Sequence, residues 1–92
     1  MAYLDIQPQA EQDIFSLDAY NYERVNDGLD FLSRQPRGAQ TAGIRGVPEV
    51  RRAVAGKYLI FYIYDENVDV VYVLSVRHGA RKPPTHMTLF PE

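Results

Sequence analysis

The chain has 92 residues, 46% of them hydrophobic and 24% charged, so it predicts one globular domain that buries about two-thirds of its surface. It contains no cysteine, which excludes a disulfide framework and thiolate chemistry. The net charge of −2 divides into −5 on residues 1–36 and +3 on residues 37–92, so an anionic partner is expected at the C-terminal half, although solvated acids on helices would give the same division.

A short strand and a first helix are predicted at the N-terminus. Ala2–Gln7 alternates weakly between apolar and polar residues, as a strand does. Pro8 suits the first turn of a helix, where its missing N–H is not needed. The apolar stripe of this helix consists of Ala10, Ile14 and Leu17.

A second helix follows directly. Asp18 is its expected N-cap, and the pair Gln35-Pro36 ends it. Its apolar residues recur at helical spacing and are Tyr22, Val25, Leu29 and Leu32. Two helices with one apolar stripe each form a helical hairpin that must pack on a flat apolar surface.

Residues 36–49 form a long connection rich in Gly and Pro, which is either functional or mobile. Residues 50–55 then predict a strand that turns at Gly56-Lys57, and its register has two solutions. A two-residue turn places Arg51 opposite Tyr62 and Arg52 opposite Phe61, and a longer turn reverses the faces of the two arginines.

Two runs rich in β-branched and aromatic residues, Tyr58–Tyr64 and Val68–Val76, predict a hairpin around Asp65-Glu66-Asn67. A two-residue loop of Glu66 and Asn67 gives the strands two different faces. The face expected beneath the helices carries Leu59, Phe61, Ile63, Val70, Tyr72 and Leu74. The other face, expected to be half covered and open to a partner, carries Tyr58, Ile60, Tyr62, Tyr64, Asp69, Val71, Val73 and Ser75.

The predicted fold class is α+β, with the order β-α-α-β-β-β and a helical hairpin on one face of a small, mainly antiparallel sheet. One domain spans residues 1–92, and residues 83–92 are expected to form an extended tail because Pro83-Pro84 prevents a helix from continuing. The sequence lacks the pattern of a signal peptide or a membrane span, so we expect a cytoplasmic protein.

Cations and tyrosines form the candidate site. They could bind a phosphate backbone, stabilise charge on a phosphodiester, or pair with an acidic protein, although tyrosines in strands more often pack in a core. His78 and His86 are too few for a metal site, so we expect neither metal nor cofactor. The candidate residues are Arg51, Arg52, Lys57, Tyr58, Tyr62, Tyr64, Arg77, His78 and Arg81.

Two motifs carry a resemblance to a known family. Residues 56–62 read Gly-Lys-Tyr-Leu-Ile-Phe-Tyr, and residues 73–81 end in His-Gly-Ala-Arg. Together with the order of elements, they resemble the RelE/ParE superfamily, the toxins of type II toxin–antitoxin modules, some of which stabilise plasmids. The resemblance implies a cognate antitoxin, whose acidic, partly disordered segment folds over the toxin.

Within that superfamily the resemblance leaves two activities open. ParE-type members inhibit DNA gyrase by binding, and His-Gly-Ala-Arg at residues 78–81 is similar to theirs. RelE-type members cut mRNA on the ribosome, and many carry arginine where this chain has Leu59. The balance favours a binding inhibitor over an enzyme. A nuclease would draw its catalytic groups from Arg51, Arg77, His78 and Arg81, and a binding homologue without toxicity is the third alternative.

Overall fold

A five-stranded sheet and three helices form in the computed structural model, which describes residues 1–82 and 84–90. The elements are β1 (Tyr3–Ile6), α1 (Pro8–Phe15), α2 (Ala19–Arg34), β2 (Gln40–Thr41), β3 (Arg51–Ala55), β4 (Tyr58–Asp65), β5 (Val70–His78) and α3 (His86–Leu89). The strand order is β1-β5-β4-β3-β2, in which β1 is parallel to β5 and the other neighbours are antiparallel. This confirms the predicted α+β fold, and the two-residue β2 is an addition within the long connection.

Local signals set the starts of α1 and α2 and the end of α2 as predicted, whereas α1 ends at Phe15 and leaves Leu17 outside the helix that was predicted to contain it. Pro8 is the first residue of α1. The Asp18 carboxylate accepts a hydrogen bond of 2.8 Å from the Asn21 N–H and caps α2. The Gln35 N–H donates to the carbonyl of Phe31 at the other end of this helix. The two helices pack on one face of the sheet, which we call the helix face.

Glycine at position 28 lets α2 approach the sheet closely. A Cβ atom at Gly28 would lie 3.0 Å from Cδ1 of Ile60 and 3.2 Å from Cβ of Ala55. Side chains from α2 and the central strands then form one buried cluster. It includes Val25, Leu29, Leu32, Ile60, Tyr62, Val71 and Val73.

The sequence assigned the two faces of β4 the wrong way round. Tyr62 lies beneath the helices and is fully buried, and its hydroxyl donates a hydrogen bond of 2.9 Å to the carbonyl of Pro36. Tyr58 and Tyr64 are half-buried and pack against the same cluster. A tyrosine ring supplies core volume while its hydroxyl needs only one partner. The predicted tyrosine face is therefore the core, not an open surface for a partner.

The hairpin between β4 and β5 has a four-residue loop, residues 66–69, where two were predicted. Asp65 accordingly pairs with Val70, and the register counted from a two-residue loop is wrong. Side chains close the longer loop. The Asn67 N–H donates to Oδ1 of Asp65, and the Tyr64 hydroxyl donates to Oδ1 of Asp69, which has φ of +55°. Asx-type bonds of this kind favour turns.

A β-bulge in β5 shifts the register a second time. Tyr62 pairs with Val73 but Phe61 pairs with Ser75, which leaves Leu74 as an extra residue. Without the bulge, Ser75 and Arg77 would alternate onto the helix face with Val73. With the bulge, Arg77 is opposite Leu59 and lies on the other face.

The other face of the sheet is covered in part by the long connection and by α3. It has its own buried cluster, formed by Ile44, Val47, Val50, Phe61, Leu74 and Leu89. Phe61 is buried as predicted, but beneath the connection and α3 and not beneath the helical hairpin. The extended tail predicted for residues 83–92 is wrong at His86–Leu89, which are helical, and residues 83, 91 and 92 lie outside the described residues.

The register of β3 follows the shorter of the two predicted turns. Gly56 has φ of +62° in the two-residue turn, and Arg51 pairs with Tyr62 while Arg52 pairs with Phe61. Arg52 is therefore on the same face as Leu59 and Arg77. Among the described residues, no helix is both long and apolar enough to cross a membrane.

A basic groove as the candidate functional site

A groove of about 430 Å³ lies on the face of the sheet opposite the helical hairpin. The long connection forms one wall, and the segment after β5 forms another. Five cationic side chains line it, and none of its described lining residues is Asp or Glu. The cations are Arg45, Arg52, Arg77, Arg81 and Lys82. We call this site the basic groove, and its charge suits an anionic ligand.

The floor of the basic groove is apolar. Ile44 and Phe61 are buried there, and Leu59 is half-buried between them and the cations. Four of the cations are exposed, so they form a rim around this floor. A ligand that fills the groove removes water from the floor, and its attraction to the cations then increases because the local dielectric constant falls.

Arg77 differs from the other four cations of the basic groove because its side chain is half-buried. Its Nε is buried and has no hydrogen-bond partner among the described residues. A buried donor without a partner costs about 1–3 kcal/mol, and such groups are rare in folded proteins. The guanidinium stays charged at any physiological pH, so Arg77 contributes a half-buried positive charge to the groove.

His78 is held at the end of the groove by two contacts. Its Nδ1 accepts a hydrogen bond of 3.0 Å from the Ala80 N–H, and its ring meets that of Tyr58 edge to face at 5.3 Å. Because Nδ1 is the acceptor, the proton of the neutral imidazole is assigned to Nε2. His78 therefore offers a donor to the groove, and to act as a general base at Nε2 it would have to give up its bond to Ala80.

The structure brings only some of the predicted site residues together. Arg52, Arg77, His78 and Arg81 line the basic groove. Lys57 is outside the lining but adjacent, since its carbonyl accepts a hydrogen bond of 2.8 Å from the Gly79 N–H. Tyr58 touches the site through His78.

The other three predicted site residues have structural contacts away from the groove. Arg51 is half-buried and donates a hydrogen bond of 2.7 Å to the carbonyl of Ala39. Burial raises the pKa of Tyr62, and the positive charge of Arg51 offsets part of this rise. The pKa of Tyr64 is also raised, chiefly because its hydroxyl donates a hydrogen bond to Asp69. Arg37 lies over the Tyr64 ring at 5.4 Å from its centroid, and its positive charge opposes this rise.

Sequence reasoning missed Arg45, Lys82 and the apolar floor. A signal for Arg45 was present, because it lies between Gly43 and Gly46 in a connection that is unusually long. Both glycines have positive φ, 71° and 85°, so the backbone curves where the arginine reaches the groove. In the described part of the chain, no three His, Asp or Glu side chains gather as metal ligands.

Comparison with known proteins identifies the family. The family described as "ParE toxin of type II toxin-antitoxin system, parDE" matches residues 4–83. The chain therefore belongs to the ParE toxin family and is a toxin of a type II toxin–antitoxin system. No match is found among curated protein sequences.

Solved structures confirm the RelE-like fold. The RelBE2 toxin–antitoxin complex from Mycobacterium tuberculosis matches with a TM-score of 0.75 and 23% identity over 84% of this chain and 96% of that one. The isolated RelE toxin of E. coli matches with a TM-score of 0.73 and 22% identity over 89% and 88%. An archaeal RelE–RelB complex from Pyrococcus horikoshii gives 0.67 and 20% over 88% and 98%. At these identities the likeness concerns the fold.

Proposed function

We propose that this toxin inhibits DNA gyrase by occupying an acidic surface of the enzyme with its basic groove. The observation that carries the proposal is the combination of five clustered cations with an imidazole held as a hydrogen-bond donor. Arg77 is a half-buried cation of the groove, and His78 has its Nδ1 engaged by Ala80. Such a site binds charge well and is poorly arranged to move a proton. Membership of the ParE family supports gyrase as the target.

The apolar floor adds to this proposal. A leucine at position 59 cannot neutralise a phosphate, but it can pack against an apolar side chain of a protein. A rim of cations around a floor of Leu59, Ile44 and Phe61 therefore fits a protein segment that carries both acidic and apolar residues. The target and the site of action would then be in the cytoplasm.

An antitoxin is the second partner that we propose. Two of the solved structures with the same fold are complexes of a toxin with its antitoxin. An acidic segment of a cognate antitoxin would compete with gyrase for the same five cations. Neutralisation would then be occupancy of the basic groove, and it would weaken as salt screens the charges.

RelE-type cleavage of mRNA on the ribosome is the second candidate activity. The similarity to isolated E. coli RelE favours it, as does the joint presence of Arg77, His78 and Arg81 in one groove. Those cations could stabilise charge on a phosphodiester. His78 would then need to release the Ala80 N–H in order to act as a base.

Two assays on the purified chain separate the candidates. One measures supercoiling of relaxed plasmid by gyrase, and the other measures cleavage of mRNA in programmed ribosomes. We expect supercoiling to be inhibited and mRNA to stay intact. Cleavage of mRNA without inhibition of gyrase contradicts the proposal and assigns the RelE-type activity. A chain inactive in both assays would be a binding homologue without toxicity.

A further inference from the structure

The carboxylate of Asp13 reaches from α1 to the bulge in β5. Its Oδ2 accepts two hydrogen bonds, one of 3.1 Å from the Ser75 hydroxyl and one of 3.0 Å from the Val76 N–H. Ser75 and Val76 are both buried. These contacts lie beyond the end of β1, whose pairing with β5 stops at Val73, while β4 still pairs with β5 on the other side.

β1 ends at Ile6, opposite Val73, so the edge of β5 beyond the bulge has no neighbouring strand on that side. Val76 is buried there, and its N–H would be costly to leave without an acceptor. Asp13 supplies the missing acceptor from a helix. Its other oxygen, Oδ1, accepts an exposed hydrogen bond of 2.9 Å from the side chain of Gln9, which does not contact β5.

The bulge decides which face Arg77 occupies. Strict alternation from Val73 would place Arg77 on the helix face, among the buried residues of the core. The extra residue Leu74 reverses the alternation and brings Arg77 opposite Leu59 in the basic groove. We infer that Asp13 is a positioning residue that stabilises the bulge and thereby directs Arg77 into the groove. Its effect on toxicity rests on the proposed function, and its effect on the strand register does not.

Three variants test the inference. Asp13→Ala removes the acceptor, whereas Asp13→Asn keeps one oxygen that can accept both bonds. Gln9→Ala is the matched control, because it removes the other contact of the same carboxylate and leaves β5 untouched. NMR measures two quantities in each variant: the exchange rate of the Val76 amide, and the cross-strand NOEs between Leu59 and Arg77. Inhibition of gyrase supercoiling is the third readout.

Asp13→Ala should raise the exchange rate of the Val76 amide at least about tenfold, weaken the NOEs between Leu59 and Arg77, and weaken inhibition about tenfold. In Asp13→Asn the exchange rate, the NOEs and the inhibition should all stay within a few-fold of the wild-type values. Gln9→Ala should leave the three quantities unchanged. Unaltered exchange and NOEs in Asp13→Ala overturn the inference. A changed register in a chain whose wild type does not inhibit gyrase would support it and refute the proposed function.

If Asp13→Ala does not fold, Ser75→Ala gives the decision. It removes one of the two bonds and keeps the Val76 N–H on the carboxylate, so exchange should rise by a smaller factor and the NOEs should weaken in part. A Ser75→Ala chain with the exchange rate and NOEs of the wild type would overturn the inference as well.

Discussion

The two faces of this sheet are formed by the same strands, but they differ in how far their side chains are buried and hydrogen-bonded. On the helix face Ile60 and Tyr62 are fully buried, and the one hydroxyl among them is paired. On the groove face Leu59 stays half-buried, and Arg77 keeps a buried nitrogen without a partner among the described residues. The helix face therefore has the larger buried cluster, and the groove face combines a smaller buried cluster with cations that can bind a ligand.

β4 contributes side chains both to the core on the helix face and to the floor of the basic groove. Its alternation sends successive residues to opposite faces, so Ile60 belongs to the core and Leu59 to the groove. Neighbouring positions in one strand should therefore respond differently to the same substitution. The predictions below test that division, beginning with the largest expected effect.

Ile60→Ala should destabilise the fold by about 2–5 kcal/mol, because it opens a cavity at a fully buried site beneath α2. Leu59→Ala, one residue earlier, should cost less than about 2 kcal/mol because its side chain is already partly exposed. Urea denaturation of both variants measures the two free energies of unfolding. Equal losses would mean that the groove face carries as much of the stability as the helix face.

Arg81→Ala should weaken inhibition of gyrase about tenfold, since it removes an exposed cation from the rim of the basic groove. The matched control is Arg24→Ala, which removes an exposed arginine from α2, where it pairs with Asp27. That control should keep full inhibition in the supercoiling assay. The same loss in both variants would show that total charge matters and that the groove does not.

Asp18→Ala should lower the free energy of unfolding by about 1 kcal/mol, because it removes the cap of α2. Asp18 does not line the basic groove, so inhibition per folded molecule should stay at the wild-type level. Thermal unfolding followed by circular dichroism, together with a supercoiling assay well below the transition, gives both quantities. A loss of inhibition in the folded variant would link the helix face to activity.

His78→Gln should change inhibition by no more than a few-fold, which is the smallest effect in this series. Glutamine keeps a donor in the region of Nε2 and cannot act as an acid or base. For a nuclease with His78 as acid or base, the same substitution should lower cleavage on ribosomes about 10²–10⁴-fold. The two assays applied to this one variant therefore distinguish binding of charge from transfer of a proton.

Local signals in the sequence were sufficient for the starts of α1 and α2, but not for α3, which was predicted as part of an extended tail. Pro8 and Asp18 act within the first turn of a helix, so their positions could be predicted without knowledge of the fold. The succession of β3, β4 and β5 along the chain followed from alternation and turn residues, but the parallel pairing of β1 with β5 did not. Four of the nine candidate site residues, Arg52, Arg77, His78 and Arg81, line one groove.

The faces of the sheet could not be predicted from local pattern, because long-range partners decide them. The hydroxyl of Tyr62 is satisfied by Pro36, which is 26 residues away, and this makes a tyrosine suitable for the core. The bulge that redirects Arg77 is supported by Asp13, which lies 62 residues from Ser75. Neither contact can be inferred from the spacing of apolar residues in β4 or β5.

The most direct test of binding through the basic groove compares Arg77→Met with Arg34→Met in the gyrase supercoiling assay. Arg77 lies in the basic groove with its Nε unpaired among the described residues, whereas Arg34 is an exposed arginine of α2 bonded to Asp30 at 2.9 Å. We expect Arg77→Met to raise the concentration needed for half-inhibition at least about tenfold and Arg34→Met to leave it unchanged. Equal inhibition by Arg77→Met and the wild type would contradict binding through the basic groove.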